Sequence, residues 1–272
     1  MNIFLYCIIF LIGILFGSFY TLAIHRIPRK QDIIHTHSYC PNCNNKLGFL
    51  ELIPVFSYLA LGGKCKHCKE KINIRYLLIE LLSGSVFVLF AASLGLDAYN
   101  LNRADLAFFA FMALYTSFIF ITAGIDKANR KIEKGVTYFG VAISLAYIIY
   151  LYIVGQASIY RYVMYIVAFL ILLIFDSITL KKYAKNSYIN GILMLVVIMA
   201  VFTGEFVTIS TIGITLFAIA IYLLINKIRQ LKRKNVKQEK ILNSKISIAF
   251  YLSCINIIIL IPVIWLCSIY AL

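Results

Sequence analysis

The chain has 272 residues, of which 62% are hydrophobic and only 14% charged, a composition that excludes a water-soluble globular domain. A formal net charge of +15 would suggest nucleic acid in a soluble protein. Here the 26 basic residues fall almost entirely in alternate loops between apolar runs, so the expected partner is the lipid bilayer and no nucleic acid is expected.

Residues 1–24 form the first predicted transmembrane helix, apolar from Ile3 to Ile24 and stopped by the basic run His25 to Lys30. A cleaved signal peptide is not expected, because the segment lacks a positive leading region and is too long for a signal core. Residues 25–75 then form a polar island with nine basic residues and two C-x-x-C pairs, Cys40/Cys43 and Cys65/Cys68, separated by 21 residues. Four thiolates at that spacing can close a tetrahedral shell around one zinc ion. His67, inside the second pair, is an alternative ligand, whereas Cys7, Cys254 and Cys267 lie in apolar runs and read as small core residues.

Residues 76–272 read as a helical transmembrane domain with further spans at roughly 76–94, 105–125, 136–155, 162–180, 189–204, 207–226 and 246–270. The predicted fold is therefore an all-α polytopic membrane protein of about eight transmembrane helices, with a small zinc-knuckle loop between helices 1 and 2. Threaded alternately, one side receives 24 of the 26 basic residues, and only Arg103 and Arg161 fall on the other. The positive-inside rule then places both termini outside and the four-cysteine loop in the cytosol, where a reducing environment favours metal over disulfides. The last basic run, from Lys227 to Lys245, reads as topogenic charge in a solvated loop.

Acidic residues at membrane depth are functional candidates, and Glu80, Asp126 and Asp176 qualify. Glu80 can pair with Arg75 or accept hydrogen bonds between helices. Asp126 and Asp176 map to the cytosolic ends of their spans, where two carboxylates sharing a proton would suit aspartyl-type proteolysis. The alternative is structural, with Asp126 ending a helix beside Lys127 and Arg130 and Asp176 pairing with a lysine. A transporter is disfavoured by the lack of paired broken helices.

The segments GSFYTLAIHRIP (17–28) and HSYCPNCNNKLGFLELIPVFSYLALGGKCKHCKEKINIRYLLIELLSG (37–84) resemble the first helix end and cytosolic loop of the type IV prepilin peptidases. These are bacterial membrane aspartyl proteases that also N-methylate the trimmed prepilin. The resemblance implies zinc at Cys40, Cys43, Cys65 and Cys68, S-adenosylmethionine as methyl donor, type IV prepilin or pseudopilin precursors as partners, and a multi-pass location in the bacterial plasma membrane. It implies Asp126 as the first catalytic aspartate, in IDKANRKIEKGVT, where Glu133 and Lys134 replace the family's proline and its acidic or amide neighbour. The second aspartate's place falls on Asn190, in YINGILML, with Asp176 as a possible substitute. An asparagine cannot relay a proton as a carboxylate does, so two functions are expected. One is a leader peptidase and N-methyltransferase; the other is a divergent paralogue without proteolysis, acting as methyltransferase or prepilin-binding assembly factor.

Overall fold

A computed structural model of the chain describes residues 2–155, 159–182, 187–232 and 246–270. Among them the long elements are all helices, as an apolar solvent demands, since each backbone N–H and C=O must be satisfied within its own segment. In chain order these are α1 (Asn2–Arg26), the short α2 (Phe56–Ala60), α3 (Arg75–Ser93), α4 (Arg103–Asn129), α5 (Lys134–Ile153), α6 (Ile159–Lys182), α7 (Ser187–Lys232) and α8 (Ile248–Tyr270). Six helical stretches among the described residues are long and apolar enough to cross a membrane, and α6 adds a shorter apolar stretch, Tyr160–Phe175.

The 46-residue α7 is two helices joined across Gly204, whose φ of 78° and ψ of 167° lie outside helical space. Glycine stands at the break because a Cβ disfavours positive φ. Divided there, α7 supplies two apolar segments, which makes eight among the described residues, and the break falls on the last residue of the predicted span 189–204, just before the predicted span 207–226.

The described chain forms two compact units, one of Met1–Ile121 with Ile264–Leu272 and one of Thr122–Val263. In the first, α1 and α3 pack backbone to backbone. A Cβ added at Gly13 would come 2.7 Å from the Gly84 Cα, and one at Gly17 would come 2.7 Å from the Glu80 Cα. Small residues at such a crossing replace the hydrophobic drive that lipid cannot supply with close van der Waals contact. Ile9, Phe87, Ala91 and Leu96 form the buried cluster at one end, and the buried Tyr20 hydroxyl lies 2.8 Å from Ser117 Oγ.

In the second unit the ring of Tyr147 stacks on Phe202 at 4.8 Å, and Asn256 Nδ2 donates to Thr211 Oγ1 at 3.2 Å. Beside the Gly204 break, Arg161 binds Glu205 through both Nε and Nη2 at 2.8 Å each, and the Tyr165 hydroxyl donates to the same carboxylate at 2.6 Å. Thus Arg161, one of the two basic residues off the predicted positive side, is neutralised by a two-pronged ion pair.

Candidate functional site

The two C-x-x-C segments fold into knuckles that repeat at an offset of 25 residues. In the first, the N–H of Cys40 donates to the Asn45 carbonyl at 3.0 Å, Asn44 to Cys40 at 2.8 Å and Leu47 to Ser38 at 2.9 Å. In the second, Cys65 donates to Glu70 at 2.8 Å, Lys69 to Cys65 at 3.0 Å and Ile72 to Gly63 at 2.8 Å. Asn44 and Lys69 occupy equivalent turns with φ of 55° and 60°. Each tight turn aims two thiols inward, and the four Sγ atoms of Cys40, Cys43, Cys65 and Cys68 all lie within 4.8 Å of one another. Cys40 Sγ and Cys68 Sγ are 3.9 Å apart, close to the ~3.8 Å edge of a tetrahedron with zinc–sulfur bonds of about 2.3 Å. The donor set fits zinc in number, chemistry and spacing. His67 turns instead toward Glu51, with Nε2 3.9 Å from Oε1.

Backbone N–H groups already favour negative sulfur here. That of Cys43 chiefly lowers the Cys40 thiol, and that of Glu70 chiefly lowers Cys68 to about 7. The N–H of Asn45 also lowers Cys43, but desolvation and the three neighbouring sulfurs prevail and raise it to about 11. Four clustered thiols cannot all ionise without a cation between them.

Arg26 fastens this loop to the end of α1. Buried there, it donates from Nη1 to the carbonyls of Asp32 (2.9 Å) and Thr36 (2.8 Å) and from Nη2 to that of His37 (3.1 Å). The segment is also ordered by Asp32, whose carboxyl the N–H groups of Ile34 and His35 hold below its ordinary value. A residue that reads in sequence as topogenic charge is therefore a brace leading into the first knuckle.

Between knuckles and helices lies a cavity of about 410 Å³, lined by Tyr39, Tyr58, Tyr76, Glu51 and Glu80 among others. Glu51 Oε2 accepts the Gly48 N–H at 2.7 Å, whereas its buried Oε1 has no hydrogen-bond partner. Glu80 is buried on α3 and accepts the Val55 N–H at 2.8 Å; of the two expected roles it takes hydrogen-bond acceptance, and its donor is a loop backbone. Carboxylates among aromatic rings suit a cation that also carries a planar ring.

The other candidate site lies in the second unit. Asp126 is fully buried near the end of α4. Its Oδ1 accepts from the Tyr188 hydroxyl and its Oδ2 from the N–H of Phe250, both at 3.0 Å. Tyr188 in turn accepts the N–H of Ile248 at 3.1 Å. Ile248 and Phe250 belong to the first turn of α8, so Asp126 and Tyr188 together cap that helix from outside. Lys127 Nζ sits 4.6 Å from the centroid of the Phe250 ring. The start of α7 thus reaches Asp126 through Tyr188, not Asn190. Two residues turn a helix by about 200°, which places Asn190 on the opposite face. Asn190 is buried there, its Nδ2 without a hydrogen-bond partner. Asp176 is on α6, but its side chain lies outside the described residues.

Residues 11–94 match the family profile of the bacterial Peptidase A24 N-terminal domain. The chain is 40% identical over 87 residues to the prepilin leader peptidase/N-methyltransferase of Vibrio cholerae, covering 29% of this chain and 34% of that protein. It is 42% identical over 80 residues to the protein of the same name from Bacillus subtilis, covering 29% and 32%. With the Klebsiella pneumoniae protein of that name it shares 36% over 135 residues, 47% of this chain and 55% of the relative. The match thus spans between about a third and just over half of these relatives' length. No solved structure matches. The knuckles, the α1 terminus they are braced to and the glycine-packed α3 all fall inside residues 11–94, the part of the chain that is similar to the bacterial Peptidase A24 N-terminal domain.

Proposed function

We infer that this chain acts on type IV prepilin or pseudopilin precursors at the cytosolic face of a bacterial plasma membrane, with N-methyl transfer as the activity its geometry supports best. The observation that carries the reading is the cavity beside the four-cysteine cluster, where the buried Oε1 of Glu51, which accepts no hydrogen bond and has His67 Nε2 3.9 Å away, stands among Tyr39, Tyr58 and Tyr76. S-adenosylmethionine, when bound, supplies an electrophilic methyl on a sulfonium; Glu51 would face that positive charge, and the tyrosines would hold the adenine. Cys40, Cys43, Cys65 and Cys68 would hold zinc in a closed four-thiolate site, which stabilises the knuckles and leaves no open position for substrate. Arg26 keeps the segment leading to the first knuckle against α1, and Glu80 holds the turn at Val55.

Leader cleavage is a second reading, favoured by the fully buried Asp126 with a phenol 3.0 Å from its carboxylate. In that reading Asp126 is one catalytic acid, Asp176 its candidate partner and Asn190 a holder of substrate carbonyl or water. Against it, both oxygens of Asp126 are already engaged, Oδ1 by the Tyr188 hydroxyl of α7 and Oδ2 by the first turn of α8, which favours a paralogue that binds and methylates without proteolysis.

The test uses the full chain in lipid nanodiscs with radiolabelled S-adenosylmethionine, offered either an intact pilin-like precursor or a trimmed pilin-like peptide. Labelling of the trimmed peptide that is lost in Glu51→Gln supports methyl transfer. No labelling by a zinc-loaded, folded preparation overturns it. Shortening of the intact precursor on a gel reports proteolysis separately.

A further inference from the structure

We propose that the segment between the two knuckles, from Phe49 to Leu59, inserts into the cytosolic leaflet as a re-entrant element whose partner is lipid. The sequence places this segment in a polar loop, yet its backbone descends beside the membrane-spanning helices. The Val55 N–H reaches Glu80 Oε2 at 2.8 Å, and the Glu80 Cα lies against Gly17 of α1. At 1.5 Å per helical residue, Gly17 is about 13 Å before Arg26 along α1, and Glu80 about 7 Å beyond Arg75 along α3. The interfacial layer of a bilayer is only about 6–7 Å thick on each side. The tip of the segment therefore stands at or below the hydrocarbon boundary.

Three further observations agree with that depth. Val55 and Phe56 line an almost wholly apolar cavity of about 470 Å³ with Phe10, Leu11 and Ile14, residues still farther from the basic end of α1. The segment exposes large apolar side chains, with Phe49 at 83%, Leu50 at 75%, Phe56 at 59% and Leu59 at 63%. This surface continues the exposed apolar side of the spans, at Leu11 and Leu15 of α1 and Leu78 and Leu82 of α3. Its base, by contrast, is a collar of exposed lysines on the knuckles, Lys46, Lys64, Lys66, Lys69 and Lys71. Apolar tip and cationic base match acyl chains and anionic headgroups.

Lipid depth also accounts for Glu80. Non-helical backbone at membrane depth must find its partners in protein, and at the tip Phe56 N–H turns back to the Pro54 carbonyl at 2.7 Å while Val55 N–H takes the carboxylate. Val55 holds φ 63° and ψ −55°, a strained turn for a β-branched residue. The knuckles, closed by their own backbone hydrogen bonds, fix both ends of the inserted segment.

The sole tryptophan, Trp265, makes a fluorescence test direct. In a Trp265→Phe background, Phe56→Trp, Leu59→Trp and, as a loop control outside the segment, Ile34→Trp (85% exposed) are purified full-length into nanodiscs containing anionic lipid. The expected result is blue-shifted emission at positions 56 and 59, strong quenching by lipids brominated along the acyl chain, and acrylamide quenching several-fold weaker than at position 34. Quenching at both positions by acrylamide as efficient as at 34, with none by brominated lipid, overturns the proposal. Shielding from both quenchers also overturns it, since the occupant is then protein. Two probe positions guard against one variant misfolding.

Discussion

The N–H of Val55 and the carboxylate of Glu80 meet at 2.8 Å across 25 residues of sequence, joining the tip of the cysteine loop to the second membrane span. Replacing the acceptor strands a buried backbone donor, which costs about 1–3 kcal/mol. Glu80→Ala is therefore expected to lower the thermal unfolding midpoint in detergent and to raise hydrogen exchange at residues 53–57. Glu80→Gln keeps a carbonyl acceptor and is expected to stay near wild type. Equal destabilisation by both would show that charge, not hydrogen bonding, is what Glu80 contributes.

Arg26 satisfies three carbonyls from one planar head. A lysine offers a point charge that cannot span all three. Arg26→Lys is expected to cost about 1.5–3 kcal/mol, the range for hydrogen bonds to a charged group. Hydrogen exchange should rise at residues 32–37 while zinc content stays at the wild-type level, because the sulfur cluster is closed by the knuckles' own turns. Loss of metal together with the brace would place Arg26 among the determinants of the metal site itself.

Zinc and the two knuckles should stand or fall together. The purified chain is expected to carry one zinc per chain, and Cys40→Ser with Cys65→Ser to carry none, by elemental analysis. Because zinc binds thiolates, acidification replaces metal by protons, so retention should fall as pH falls. Chelation should open residues 38–72 to protease while the membrane spans stay protected. A chain that purifies without zinc, or keeps it after both substitutions, contradicts the four-thiolate centre.

The features legible in sequence are the apolar spans and the clustered cysteines. Apolar runs of spanning length predicted the helices, and two of the predicted spans, 189–204 and 207–226, run on from one another across the break at Gly204. Cysteine spacing pointed to the four thiols that the structure brings together. Contacts made by single polar groups across long separations were not legible. Tyr188 resembles an aromatic at the membrane interface until its hydroxyl is seen between Asp126 and Ile248. Arg26 is one of several basic residues around the end of α1, and nothing local distinguishes the one that is buried. Glu80 was visible as an anomaly, but its partner depends on how deeply a loop descends, which residue periodicity does not encode.

Asp126 separates a structural role from a chemical one, because its two oxygens hold donors from different helices, Tyr188 on α7 and Phe250 on α8. Asp126→Leu leaves both donors unmet and is expected to cost about 1–3 kcal/mol, with early hydrogen exchange in the first turn of α8. Tyr188→Phe removes the donor to Asp126 and the acceptor for Ile248, and should cost about 1 kcal/mol, the scale of a helix cap. Asp126→Asn keeps an acceptor and nearly the same shape, so its fold should survive while any proton transfer through this position is lost. The informative comparison is precursor cleavage in cells that hold no other source of that activity. Cleavage present in wild type and absent in Asp126→Asn, with both proteins equally stable, assigns Asp126 a part in the reaction. Cleavage unchanged in Asp126→Asn, beside destabilisation in Asp126→Leu, assigns it the helix cap alone.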